Sequence, residues 1–227
     1  MHLSLLGVVL IIILYIFIKM INKKQKIIVY IDGFNLYYGV RSLGQFYKWL
    51  DIGALARSFA KDGNAIIEVK YFTAKLNGNN ESVYRQEIYL DAISKYCTNI
   101  QTTYGRFTKA RKCKNCNVKN NEEKQTDVNI ACEIMRDLYK NNFDIAYLVS
   151  GDSDLVAPVK EAANLKKTII IAFPPNRSSK ELIKIASSYF YIDKNRLKKC
   201  QLPNEIATKR NPLKRPEKWQ KQNKGNI

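Results

Sequence analysis

The chain has 227 residues and a formal charge of +18, with 38 Lys and Arg against 20 Asp and Glu. Its apolar share of 46% supports a packed core and excludes wholesale disorder, and the length allows one α/β domain with appendages. So large a positive excess implies a polyanionic partner, nucleic acid or an anionic membrane face, unless it reflects only a Lys-rich sequence habit.

In chain order, Leu3 to Ile18 is apolar and uncharged. Sixteen helical residues span about 24 Å. Continuing through Ile21, with Lys19 snorkelling, brings the segment near a hydrocarbon thickness of about 30 Å. Lys19, Lys23, Lys24 and Lys26 follow it. Residues 1–21 are therefore expected to be a single transmembrane anchor, with the rest of the chain on the cytoplasmic side. No basic leader or small-residue cleavage site favours a signal peptide. A competing reading starts translation at Met20 and gives a soluble cytoplasmic protein.

Lys26 to Ile31 is a β-branched run ending at Asp32-Gly33, as expected of a strand buried on both faces. A helix over 51–60 with Asp51 as N-cap follows, then a strand over 65–74 and an amphipathic helix over 81–96. Residues 100–104 form a weaker strand. The composition then turns basic and polar from Gly105 to Gln125, around Cys113-Lys114-Asn115-Cys116. Thr126 is expected to cap a helix from Asp127 to about Tyr139. A strand over 144–149 leads to Ser150-Gly151-Asp152-Ser153-Asp154, followed by a helix over 154–165. A strand over 168–173, a helix over 179–187 and a last strand over 189–192 complete the series. This alternation predicts a three-layer, Rossmann-like parallel sheet over 26–203. Residues 204–227, rich in Lys, Arg and Pro, are expected to be a disordered basic tail. Trp219 in that tail would contact RNA or lipid head groups.

Ligands of open α/β sheets sit outside the carboxyl ends of the strands. Asp32 and the pair Asp152 and Asp154 fall at two such ends. Asp127 opens a helix on the same stripe as Ile130, Ile134 and Leu138. Carboxylates converging there repel one another unless a cation neutralises them. Oxygen donors select Mg²⁺ or Mn²⁺, and such ions suit phosphodiester hydrolysis. The ordinary alternative for each acid is a helix cap or turn former. His2 is the sole histidine, which excludes histidine-based acid–base catalysis in the body of the chain.

Three segments, Val29 to Leu36, Glu123 to Ala131 and Leu148 to Leu155, resemble the NYN domain of the PIN-like nuclease group, which includes LabA-like proteins. Lys166 to Pro175 and Gln201-Leu202-Pro203 are also similar. The resemblance implies a PIN-like fold and a metal-dependent ribonuclease site. Asp32, Asp127, Asp152 and Asp154 would be its ligands, and Asn35 a polar partner near the scissile phosphate. One position departs: the family often has an Asp before the final strand, where this chain has Ala186-Ser187-Ser188-Tyr189.

Cys113-x-x-Cys116 is half of a zinc site. Cys97 or Cys132 would have to contribute, unless two chains pair as a homo-oligomer, and both are better explained as small core residues. The insert's basic residues, with Tyr104 and Phe107, would otherwise line an RNA path, or be a solvated loop. A metal-dependent ribonuclease is the leading function, and a non-catalytic RNA-binding or regulatory module of the same fold is the alternative. A phosphatase of the haloacid-dehalogenase type needs a second acid two residues after Asp32, where Phe34 stands.

Overall fold

The computed structural model describes residues 25–60, 66–78, 80–107, 123–209 and 211–220. The expected anchor over 1–21 and the Cys113–Cys116 pair lie outside these residues. Among the described residues no helix is long and apolar enough to cross a membrane.

The backbone of the fold is β1 (Ile27–Asp32), every residue of which is buried. Alternate side chains serve opposite faces. Ile27, Val29 and Ile31 join one hydrophobic cluster, and Ile28 and Tyr30 join the other. With both faces apolar, the strand requires helices on each side, and the chain supplies them. On the first face lie α1 (Gly33–Leu43), α2 (Ile52–Arg57) and α3 (Glu81–Tyr96), through Leu36, Leu55 and Ile93. On the second lie α4 (Thr126–Tyr139) and α5 (Val156–Asn164), through Ile130, Ile134 and Val159, with α6 (Lys180–Ile185) through Leu182.

The remaining strands of the sheet are β2 (Ile66–Thr73), β3 (Ile100–Tyr104), β6 (Ile145–Val149), β7 (Thr168–Phe173) and β8 (Ser188–Tyr191). All pairs are parallel, in the order β3-β2-β1-β6-β7-β8. A two-stranded ladder of β4 (Arg106–Phe107) and β5 (Glu123–Lys124) lies off the end of β3. The order reverses between β1 and β6. That is the switch point at which doubly wound sheets open a crevice.

The expected three-layer α/β fold is present. Helix α1 has no counterpart in the sequence-based elements, nor has α7 (Lys194–Lys199). The helix expected at 154–165 begins instead with a tight 3₁₀ turn at Ser153–Leu155, and Pro158 sits in its first α-helical turn, where no amide donor is needed. Thr126 does not cap α4. It is the first helical residue, buried, and Gln125 before it takes a left-handed conformation with φ 84°. Cys132 is exposed rather than in the core, whereas Cys97 packs on the first cluster.

The largest correction concerns residues 204–220. Where composition predicts a disordered tail, the chain forms a hairpin of β9 (Glu205–Ile206) and β10 (Leu213–Lys214), and Trp219 is only 5% exposed. Trp219 packs on Trp49 and Tyr89, in a third cluster with Leu202 and Ile206. Arg215 pins the segment. Its guanidinium donates to the carbonyls of Trp219 and Phe46 and to the side chains of Gln201 and Asn204. Charge density misleads here because one buried tryptophan and one saturated arginine outweigh many solvated lysines.

A second polar device joins α4 to the sheet. Lys70 on β2 donates to Glu133 at 2.7 Å and to Asp137 at 2.8 Å, and Asp137 also accepts from Tyr30 and Asn142. Burial alone would raise the Asp137 pKa, but these donors and the Lys70 charge outweigh it and hold the carboxyl below its ordinary value. The stabilisation is present above the unfolded pKa and is lost as pH falls through the folded one. Lys70→Met is expected to cost about 3–5 kcal/mol in urea unfolding at pH 7, because it strands a buried charge. Adding Asp137→Asn should return much of that loss.

Candidate metal centre

Asp32 ends β1 at the switch point and caps α1. Its Oδ1 accepts from the Asn35 amide at 2.9 Å and its Oδ2 from Ser150 Oγ at 2.9 Å. Ser150, immediately after β6, also accepts from the Asp152 amide at 3.0 Å. One hydroxyl thus sets two carboxylate positions from neighbouring strand ends. The Asn35 side-chain carbonyl accepts from the Gly151 amide at 2.9 Å, which ties α1 to the loop after β6.

Glycine is required at position 151 for space. A Cβ there would lie 2.8 Å from the Arg177 carbonyl carbon and 2.9 Å from the Ser178 nitrogen. The loop after β7 therefore presses directly on the acidic run. Asp127 arrives from the opposite layer at the first turn of α4, directed by the left-handed Gln125. A non-glycine residue held at positive φ is a local strain of the kind found at functional sites.

Asp32, Asp127 and Asp152 each offer an oxygen within 4.8 Å of the others. Asp32 is 3% exposed, and the other two are half-buried. Burial, aided by the charges of Asp127 and Asp152 and opposed by the hydrogen bonds from Asn35 and Ser150, pushes the Asp32 carboxyl up to about 7. Three oxygen donors that repel one another are a donor set suited to a hard divalent cation.

Asp154 is not part of this trio. It is exposed on the 3₁₀ turn, where its amide donates to Asp152 Oδ1 at 3.0 Å. Asn35 is a positioning residue, holding the loop after β6 through its carbonyl. Ser150 has a role that the motif left unassigned. Its only signal in the sequence is a hydroxyl at the head of the acidic run.

The family model of the NYN domain matches residues 26–193. This protein belongs to the NYN domain family. The matched span runs from β1 to β8 and includes all three acids of the trio. The chain is 30% identical over 244 aligned residues to 6-hydroxy-3-succinoylpyridine 3-monooxygenase HspA of Pseudomonas putida (strain DSM 28022 / S16). That alignment covers 88% of this chain and 77% of the relative. The crystal structure of a protein of unknown function from Vibrio parahaemolyticus RIMD 2210633 superposes with a TM-score of 0.54 and 19% identity, covering 76% of this chain and 95% of that one. That likeness concerns the fold.

The raised Asp32 pKa has a testable sign. The folded state keeps a proton that the unfolded chain releases at its ordinary 3.8, so stability falls as pH rises from about 4 to about 7. Asp32→Asn is therefore expected to stabilise the metal-free NYN domain at pH 8, by roughly 1–3 kcal/mol in urea unfolding. At pH 4 the gain should vanish. Added Mn²⁺ should raise the melting temperature of the native chain and not of the variant.

Proposed function

We propose that this NYN domain is a ribonuclease dependent on a divalent cation, Mg²⁺ or Mn²⁺. The observation that carries the reading is the convergence of Asp32, Asp127 and Asp152 at the switch point of the sheet, within 4.8 Å of one another. These three would hold the ion, which when bound would neutralise their repulsion and act as a Lewis acid on a phosphodiester. Asn35 and Ser150 fix the carboxylates before substrate arrives, so little rearrangement is needed. The charge of +18 supplies the attraction for a polyanionic strand. Residues 1–21, by their apolarity and flanking lysines, would tether the enzyme to the cytoplasmic face of a membrane.

The test is cleavage of single-stranded and structured RNA by the purified chain with Mg²⁺, with Mn²⁺ and with EDTA. Cleavage is expected only with the cations and should disappear in Asp127→Asn. Ser150→Ala, which loosens two ligands without removing one, should cost about 10- to 100-fold. Asp154→Asn, outside the trio, should retain far more activity than Asp127→Asn. RNA that is bound but never cut would favour a non-catalytic binding module instead.

A second reading comes from the monooxygenase relative, whose similarity extends over 88% of this chain. It would make the domain an oxygenase of a small nitrogen heteroaromatic. Oxygen uptake in the presence of such a compound and reduced nicotinamide, with no RNA cleavage, would replace the ribonuclease assignment.

A further inference from the structure

Beside the acidic trio, on the α1 side of the sheet, lies a cavity of about 400 Å³. That is within the range of about 300–1,000 Å³ typical of small-ligand sites. Its walls are aromatic and basic: Tyr37, Tyr47, Tyr89 and Trp219, with Lys48 and Arg85. Gly33, the residue after Asp32, also lines it. Its far wall is the C-terminal segment that Arg215 pins in place.

Lys48 is the telling residue. It is 8% exposed, and its ammonium donates to Tyr37 Oη at 3.2 Å and lies 4.9 Å from the Tyr37 ring centroid. No described carboxylate lies within ion-pair distance of it. An ammonium that lines a cavity and is held only by a neutral phenol is available to an anionic ligand. Tyr37 and Tyr38 stand partly exposed, edge to face at 5.5 Å, although each has apolar surface that burial would favour. Aromatic faces beside a cation held only by a neutral phenol are the equipment for stacking a base and holding its phosphate.

We infer that this cavity is a nucleotide pocket that stacks one unpaired base against its aromatic side chains and seats that nucleotide's phosphate on Lys48. The inference deepens the ribonuclease reading and rests on it for the identity of the strand. The pocket acts on single nucleotides without the cation, so its test is separable from cleavage.

The experiment titrates the full chain in EDTA with AMP, UMP and adenosine, following tryptophan fluorescence. Trp219→Phe assigns the signal, because the chain has only two tryptophans. Saturable binding of AMP or UMP is expected, with adenosine at least tenfold weaker. Lys48→Met should weaken AMP at least tenfold. Tyr37→Leu, at a ring that is 39% exposed, should weaken both nucleotides, with circular dichroism checking that both variants fold. Absence of saturable nucleotide binding, or equal binding by both Lys48→Met and Tyr37→Leu, overturns the pocket. So does preferential binding of nicotinate over AMP, which would support the heteroaromatic reading. Nucleotide binding without RNA cleavage under Mg²⁺ or Mn²⁺ upholds the pocket and removes the ribonuclease reading.

Discussion

Everything in this molecule is arranged around a strand that has no exposed side. Because β1 is apolar on both faces, the chain must wrap helices above and below it, and the sheet must extend to its left and right. The same burial leaves Asp32, at the strand's end, with a carboxyl that water cannot reach. An acid in that position is a cost to the fold unless something compensates it. The two neighbouring aspartates do the opposite, since their charges add to its difficulty. The fold carries an electrostatic penalty at its topological centre, and a cation is the ordinary way to relieve one.

Much of this was legible in the sequence, for reasons that differ from element to element. Strands β3 and β7 and helix α3 are foreseen at their observed limits because their patterns agree with their periods and are bounded by turn residues. Asp32, Asp127 and Asp152 were found because they fall at the ends of those elements, where the topology brings them together. Asp154 shares the strand end and the family motif with Asp152, yet it lies on a 3₁₀ turn and outside the trio.

What was not legible lies where long-range contacts override composition. Helix α1 is rich in glycine and tyrosine, poor helix formers in isolation, and is held by the Asp32 cap at one end and by packing of Leu36 and Val40 along its length. The C-terminal segment has the charge and proline content of a disordered chain. It is ordered because Trp219 finds Trp49 and Tyr89, which are more than a hundred residues away in sequence. No local pattern reports a partner at that distance. The role of Ser150 is invisible for the same reason, since its hydroxyl matters only through Asp32, more than a hundred residues upstream.

The small β4–β5 ladder has a consequence for how such a domain diversifies. Arg106 pairs with Lys124, and Phe107 with Glu123, so the two ends of the segment between them are held together at one fixed point. The helix that carries Asp127 begins directly after the return strand. Residues inserted or deleted between the two strands would therefore not displace the carboxylate, because the ladder absorbs the change in length. This is a mooring for sequence novelty. Relatives would be free to vary the length and composition of residues 108–122 while the acidic centre keeps its geometry.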